Sequence, residues 1–502
     1  MNITNKKIID VLLINPPYHQ RKGSGLIFPL GLGYIISSLE QIGYHTEVID
    51  CTLLNSSLGK DALNKLHNYL KTLLANNKPR YLIGIGPCTT PAILGIKLIS
   101  SLCKQLWPEI PIVIGGPLTS ISEHESLFFA ELNADYAIVG DGERPMQNLV
   151  NALSSHTEYP QNGIMTSTKK SIIPYIETNL DSLALPKRFF SEGYYPSVRR
   201  NLGMYPFAAI STSRGCPYNC DFCMSSMIRK GQYNRRSPKA INEEVGKLFK
   251  DHSVKSVIVY DDSFFDSSRS IDDNINFAEL CFKGHEKAAI WQMELRPDKV
   301  IELDLNTINT LVNIGCRQIN IGFETISIER MNSIGKTYDE KDLAEKLNFF
   351  SRSCPNMRFT GTFILGGPNV SIDIIENTVS YASKASLLYA HFYPLELYPG
   401  TKLYQEKFGH LAPTWWYEQL SADNLSWGEI IYESETIKKS DLLNATAKAY
   451  NKFYNRQSWL EQVKRYYPSR VNEILLAVKH WENNRFNLLA NDLNTEEISN
   501  VV

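Results

Sequence analysis

The chain has 502 residues, 43% hydrophobic and 21% charged, with 52 Lys and Arg against 53 Asp and Glu. This composition is that of a soluble globular protein of roughly two to four domains, and its balanced, scattered charge excludes a chain organised around a nucleic-acid surface. No run approaches the ~18 apolar residues of a membrane span, and nine cysteines over this length do not make a secreted disulfide framework.

The opening stretch Lys6-Lys7-Ile-Ile-Asp-Val-Leu-Leu-Ile-Asn-Pro-Pro17 starts like a signal peptide. Asp10 interrupts its apolar run and no small-residue cleavage site follows, so a buried parallel strand is expected. From residue 8 to about 153, short apolar runs alternate with helical patterns. Strands are expected at Val11–Ile14, Glu47–Ile49, Tyr81–Ile85, Ile112–Ile114 and Tyr136–Val139. Helices are expected at Leu30–Gln41, Lys60–Leu74, Pro91–Leu106, Glu123–Leu132 and Pro145–Leu153, with Gly43 stopping the first. Five βα units with continuous apolar strands predict a doubly wound, Rossmann-like sheet, whose ligands bind beyond the carboxyl ends of the strands. Those ends read Asn15-Pro-Pro-Tyr, Asp50-Cys-Thr, Gly86-Pro-Cys-Thr-Thr, Gly115-Gly-Pro-Leu-Thr and Gly140-Asp-Gly-Glu. Glycines there let a large ligand approach the backbone. No G-x-G-x-x-G opens a helix after the first strand, which disfavours a dinucleotide. His19 and His45 are expected to be surface or packing residues, and Cys51, Cys88 and Cys103 small core residues.

Residues 154–206 read as a connector. Gly163–Thr168 and Ser171–Tyr175 suggest a hairpin around Lys169-Lys170, followed by Leu185-Pro186, Arg188-Phe-Phe190 and Tyr194-Tyr195. A linker that packs across a domain interface has this composition.

Phe207–Thr212 then reads as a strand, and the loop after it holds Cys216, Cys220 and Cys223 in the spacing C-x3-C-x2-C. Three thiolates this close can face one metal centre and leave one iron of a [4Fe–4S] cube open to substrate. A structural zinc site would want a fourth ligand at short spacing, and the next His and Cys are His252 and Cys281. Clustered thiolates call for a reducing compartment, hence the cytoplasm. The βα alternation continues to about Lys407, with strands expected at Ser256–Tyr260, Ala289–Glu294, Gln318–Gly322, Phe359–Leu365 and Ala390–Leu397. Chemistry on such a barrel belongs at the C-terminal strand ends. Residues 408–502 are helical and aromatic, with Trp415-Trp416-Tyr417, Trp427, Tyr450, Phe453-Tyr454, Trp459, Tyr466-Tyr467 and Trp481.

The cysteine motif, with Phe222 as its aromatic, resembles the signature of the radical S-adenosylmethionine (SAM) superfamily, C-x3-C-x-aromatic-C after the first barrel strand. The six βα units resemble that superfamily's partial (β/α)6 barrel. The resemblance implies that SAM chelates the open iron through its amino and carboxylate groups. One electron, from a donor such as a flavodoxin or ferredoxin, then cleaves it to methionine and a 5'-deoxyadenosyl radical, chemistry that the protein positions and shields. It also implies SAM contacts at the strand ends: Asp261, Asp262 and Ser263 for the amino group, Arg296 for the carboxylate, Glu324 in Gly322-Phe-Glu-Thr325, and the backbone of Gly366 and Gly367 beside adenine. Asp261 to Ser263 also suit a helix N-cap before Ser270–Cys281, Arg296 a surface salt bridge, and Lys336 a structural cap. Cys281, Cys316 and Cys354 form no second motif.

The N-terminal pattern looks like the cobalamin-binding domain found upstream of many such barrels. The matching pieces are the Asn-Pro-Pro loop, Pro29-Leu-Gly-Leu-Gly-Tyr34, Gly115-Gly116 with Thr119, and Gly140-Asp-Gly-Glu143. Cobalamin contacts are thereby implied at Asn15, Pro16, Asp50, Thr89, Thr90, Gly115, Gly116, Thr119, Gly140 and Glu143. The chain departs from the Asp-x-His-x-x-Gly motif of His-ligated cobalamin domains, because Asp50-Cys-Thr-Leu-Leu-Asn55 has no His. Cobalt ligation by a His at this site is therefore not expected, and a flavodoxin-like domain that only packs on the barrel is the alternative. The methylthiotransferase pattern of a second cluster needs a Gly-Cys-x-x-Asn first strand, which this chain lacks.

The expectation is an α/β protein with a cobalamin-binding domain at 1–153, a connector at 154–206, a radical SAM barrel at 207–407 and a C-terminal helical domain at 408–502. The resemblance implies a cobalamin-dependent methyltransferase acting on an unactivated carbon of a small-molecule or natural-product substrate. Two SAM molecules would serve it, one methylating cobalamin and one giving the radical. Cyclisation, ring contraction or oxidation by the same parts is one alternative. Others are a radical SAM enzyme with an empty N-terminal domain and a non-catalytic cobalamin sensor or carrier. His391, Tyr393 and Glu396 on the sixth strand are candidates to face substrate.

Overall fold

The computed structural model describes residues 8–17, 28–51, 60–121, 124–169, 172–188, 207–251, 254–286, 290–418, 430–472 and 474–475. His19, His252, Trp427 and Trp481 lie outside the described residues, as does the stretch from Phe189 to Tyr195. Among the described residues no helix is long and apolar enough to cross a membrane.

Two compact units divide the chain. The first holds the described residues up to 188 together with 398–418, so the stretch after the last barrel strand packs with the N-terminal half. The division expected from the sequence, at 153, 206 and 407, is not the division between these units.

The first unit is built on a six-stranded sheet: β1 (Val11–Asn15), β2 (Thr46–Asp50), β3 (Leu82–Ile85), β4 (Ile112–Gly115), β5 (Tyr136–Ile138) and β6 (Ile164–Met165). Their order is β2-β1-β3-β4-β5-β6. All pairs are parallel except β5 with β6. The first arm of the expected hairpin in the connector is therefore an edge strand of this sheet. Val11 to Ile14 are all at most 2% exposed, as a central strand covered on both faces must be. On one face Val11 and Leu13 join Leu82, Val113 and Ile138. Against them pack Ile36 and Leu39 of the helix Leu30–Gln41 and Met146, Leu149 and Val150 of the helix Glu143–Ser155. The helix Leu30–Gln41 ends where expected: the Gly43 N–H donates to Glu40 and the Tyr44 N–H to Leu39, the paired bonds of a Schellman stop.

The expected helix Glu123–Leu132 is instead a wide π turn over Leu127–Glu131, closed by the Leu132 N–H on the Leu127 carbonyl at 3.0 Å. Leu127, Phe128 and Leu132 are all fully buried. In the same unit, His124 Nε2 accepts from the Trp416 indole at 3.1 Å. Burial pushes the His124 imidazole down to about 4, so it stays neutral and available as acceptor.

The second unit is an all-parallel sheet of β7 (Phe207–Ile210), β10 (Ser256–Val259), β11 (Ile290–Leu295), β12 (Cys316–Glu324), β13 (Arg358–Leu365) and β14 (Tyr389–Pro394), in sequential order. Between β7 and β10 a small antiparallel pair, β8 (Ser213–Arg214) with β9 (Asn234–Arg235), brackets the cysteine loop. Along β11, β12 and β14 buried residues alternate with half-buried polar ones, so each strand has an apolar outer face and a polar inner face. The outer face of β11 carries Trp291, stacked on Phe282 at 4.1 Å.

The C-terminal aromatics have a specific use. In the helices Lys439–Tyr454 and Gln457–Tyr466, side chains cover the free edge of β14. The Phe392 N–H donates to the Tyr450 hydroxyl at 2.9 Å, Tyr454 donates to the Ala390 carbonyl at 3.0 Å, and Trp459 donates to the Leu388 carbonyl at 2.8 Å. Side chains thus take the place of a seventh strand.

Gly140, just past β5, has a φ of 90°, and a Cβ there would overlap the Tyr175 carbonyl oxygen. Gly140→Ala is therefore expected to destabilise the protein by about 1–3 kcal/mol. A drop in the urea midpoint at constant slope would show it, and an unchanged midpoint would mean that the Tyr175 segment yields at no cost.

Candidate active site

The three cysteines sit on a loop with no regular structure between β8 and the helix Met224–Arg229. Cys216, Cys220 and Cys223 are all half-buried and reduced. Two local bonds shape the end of the loop. The Ser226 hydroxyl reaches the Cys220 carbonyl at 2.9 Å and the Cys223 carbonyl at 2.7 Å. Burial pushes the Cys216 thiol up to about 11, and the nearby Asp262, Cys220 and Cys223 add to the rise. Cys220 and Cys223 are raised as well, again first by burial. The three thiols thus sense one another's charge, and as free thiols they resist ionising. Among the described residues no three such side chains converge on a single-ion site. Iron would hold the thiolates that burial alone disfavours.

Three neighbours hold the loop from outside, and a fourth braces the strand leading into it. The buried Asp261 accepts from the Thr212 N–H at 2.7 Å and from the Thr212 hydroxyl, tying the end of β10 to the end of β7. Burial pushes its carboxyl up to about 6, opposed by those Thr212 bonds. The Arg296 guanidinium lies 3.7 Å over the Tyr218 ring, 4.0 Å from Cys220 Sγ, and bonds the Gly335 carbonyl and Asp298. Arg330 grips Asp221 with two bonds, at 2.6 and 2.8 Å. The Cys220 thiol reaches the Ile334 carbonyl at 3.6 Å.

Beside the loop a narrow cleft is lined by Phe222, Glu324, Thr325, Arg330, Ile334, Ile364, Gly366 and Leu395. Glu324 is held there at a φ of 62°, a backbone position disfavoured for a side chain, just past an irregularity in the β12–β13 register. Its carboxylate pairs with Lys336 at 2.9 Å, and Lys336 also bonds the Gly322 carbonyl. Lys336 is buried, in keeping with the structural role expected for it.

The structure thus brings Phe222, Glu324 and Gly366 to one cleft beside the cysteines. Gly367 packs near Leu395 and Arg330. Asp261 and Ser263 are occupied by protein partners, Ser263 donating to the Phe265 carbonyl at 2.9 Å. Arg296 is likewise engaged, in a half-buried ion pair with Asp298 at 2.9 Å. Asp262 is exposed and accepts from Ser225 at 2.6 Å. Asp261 and Ser263 do not cap the following helix, which is capped by Ser270.

In the first unit the strand order reverses at β1, so the crevice lies at the ends of β1 and β3. Asn15 donates to Asp50 at 2.9 Å, and its own carbonyl oxygen is buried with no partner among the described residues. Pro16 is buried behind it, Thr89 is half-buried and Thr90 buried. Thr119 is fully buried and donates to the Gly116 carbonyl at 2.7 Å and to the Ile138 carbonyl. A Cβ on Gly116 would overlap the Cys88 backbone, while Gly115 lends its carbonyl to the Cys88 N–H at 2.7 Å. Glu143 is a buried acid in the first turn of its helix, where the helix dipole favours it. Cys51, Cys88 and Cys103 are buried, with thiols raised by that burial.

Sequence reasoning missed two features. Asp221 and Arg330 are far apart in the chain, and nothing local pairs them. Glu294 ends the inner face of β11, with its side chain open to solvent yet surrounded by protein and by other acids. Its carboxyl is raised to about 7, first by that enclosure and then by Glu324, Asp262 and Asp261. Alternation along Ile290–Leu295 could have flagged it, since Gln292 and Glu294 share the inner face.

Residues 210–382 match the family model of the Radical SAM superfamily and residues 21–150 that of the B12 binding domain. An uncharacterized methyltransferase of Pyrococcus horikoshii is 26% identical over 80% of this chain and 83% of its own length. The anaerobic magnesium-protoporphyrin IX monomethyl ester cyclase of Rubrivivax gelatinosus is 22% identical, over 90% of this chain and 78% of its own. Among solved structures, the radical S-adenosylmethionine methyltransferase TsrM from Kitasatospora setae superposes with a TM-score of 0.63 at 19% identity, covering 79% of this chain and 75% of that one.

Glu294 gives a pH test. An acid whose folded pKa is raised binds its proton more tightly in the folded state, so stability is lost as pH climbs from the ordinary 4.5 through about 7. Glu294→Gln, which cannot ionise, should melt higher than the parent at pH 8 and close to it at pH 4.5. A variant that melts lower at pH 8 would show that the Glu294 charge is compensated.

Proposed function

We propose that this chain, which belongs to the radical SAM superfamily and carries a B12-binding domain, is a cobalamin-dependent methyltransferase acting on an unactivated carbon of a small molecule. The observation that carries this reading is the loop of three half-buried thiols set against a cleft lined by Phe222, Glu324 and Gly366. A sensor or carrier would have no use for that loop.

When bound, the [4Fe–4S] cluster supplies one electron that turns SAM into methionine and a 5'-deoxyadenosyl radical, and cobalamin carries the methyl group. The chain's residues do the rest. Cys216, Cys220 and Cys223 would hold the cluster and leave one iron open. Phe222 and the glycine turn at Gly366 would wall the adenosyl group, whose radical must be kept from water and from other C–H bonds. Glu324, fixed by Lys336, offers an acceptor that is already oriented. Glu294 adds a second carboxylate for a cationic or hydroxyl-bearing ligand. In the B12-binding domain, the Asn15 side-chain carbonyl, without a donor among the described residues, fits an amide donor of the kind that rims a corrin. Asp50 and the Thr89-Thr90 turn extend that edge.

A second reading is cyclisation or another rearrangement without methyl transfer, favoured by the similarity to the Rubrivivax gelatinosus cyclase over 90% of this chain. Product mass separates the two, since only methyl transfer adds the mass of one methyl group. Either reading calls for a one-electron donor of the flavodoxin or ferredoxin kind and for a reducing, cytoplasmic setting.

Anaerobic reconstitution with iron, sulfide and hydroxocobalamin should give about four iron and one cobalt per chain after desalting. Iron without cobalt would remove cobalamin from the mechanism. Cys220→Ala should abolish 5'-deoxyadenosine formation, and retained formation would overturn the cluster assignment.

A further inference from the structure

We infer that Asp221 and Arg330 are positioning residues: their two-pronged ion pair sets the height and tilt of the cysteine loop against the strand-end cleft. The inference rests on the radical SAM reading of that loop. Asp221 lies between Cys220 and Phe222, so any shift of its carboxylate moves a cluster ligand on one side and a cleft wall on the other. Arg330 bonds both oxygens of Asp221, with the two side chains only 8% and 12% exposed. Its guanidinium is steadied by the Ser333 hydroxyl at 3.0 Å.

The rest of that segment aims the same way. Arg330 belongs to the helix Ile328–Ser333, whose N-terminus is capped by Ser327. In the turn that follows, the Ile334 carbonyl meets the Cys220 thiol, the Gly335 carbonyl holds Arg296, and Lys336 holds Glu324. One short stretch after β12 therefore touches two consecutive loop residues and orients the cleft carboxylate. Of these contacts only the Asp221–Arg330 pair is a side-chain lock with fixed planar geometry, because two parallel N–H···O bonds define both a distance and an angle. The loop has no helix or strand of its own between Cys216 and Cys223, so beyond a turn bond and the Ser226 bonds at its end, its geometry draws on such outside contacts.

The test uses the full-length protein with its cluster reconstituted. Arg330→Lys keeps the buried charge but cannot make the two-pronged contact. Its iron content and thermal melt should stay near those of the parent. The electron paramagnetic resonance spectrum of its reduced cluster should respond differently to added SAM, and 5'-deoxyadenosine formation should fall about tenfold or more, as expected for a misplaced reacting group. The exchanged pair Asp221→Arg with Arg330→Asp should recover part of that loss. Arg330→Lys with an unchanged SAM-dependent spectrum and a rate within about twofold of the parent would overturn the proposal. Should Arg330→Lys lose its iron, recovery of iron in the exchanged pair supports the lock and no recovery overturns it. A parent protein that binds no iron or cleaves no SAM would instead count against the radical SAM reading itself.

Discussion

Everything at this site depends on holding three cysteines in place on a segment that cannot hold itself. The loop from Cys216 to Cys223 forms neither helix nor strand, and its thiols lie where burial opposes their ionisation. Regular structure would fix such a loop through backbone hydrogen bonds. Here the work falls to polar side chains from three other places: Arg296 after β11, Arg330 after β12, and Ser226 just beyond the loop, while Asp261 ties the end of β10 to the strand before it. Each has low exposure or sits in a protein-walled position, where an unsatisfied bond would be costly. The barrel is thus a frame whose strand ends are spent largely on bracing one loop.

The N-terminal sheet uses its strand ends in a related way. Gly116 and Gly140 allow backbone to lie directly on backbone, at Cys88 and at Tyr175. Thr119 closes the first of these contacts from within. The crevice at β1 and β3 is different, because there the buried side-chain carbonyl of Asn15 has no donor among the described residues. Rigid glycine junctions surround an edge that retains capacity for a ligand.

The sequence made the buried strands and the cysteine loop legible because both rest on local signals. Apolar runs such as Val11–Ile14 announce buried strands, and C-x3-C-x2-C announces a thiolate site whatever surrounds it. Glycine signals were legible only as places of close approach. What does the approaching is decided in three dimensions: an added Cβ at Gly116 or Gly140 would meet the backbone of Cys88 or Tyr175. Asp261 and Arg296 follow the same logic: a charged residue at a strand end is visible in the sequence, its partner is not. The pairing of Asp221 with Arg330 and the crowding of Glu294 by three other acids were invisible, since each brings together residues from separate βα units. The π turn at Leu127–Glu131 escaped because its hydrophobic pattern differs from a helical one by a single residue per turn.

The capping of β14 by Tyr450, Tyr454 and Trp459 bears on how the protein is made. The strand ends at Pro394, whereas its caps come from helices that begin at Lys439 and Gln457. A ribosome therefore releases the last barrel strand well before the groups that seal it. In that interval the nascent barrel presents the unpaired groups of β14 to any other extended chain nearby. The C-terminal helices are in this sense an internal chaperone for the barrel, acting last and remaining in place.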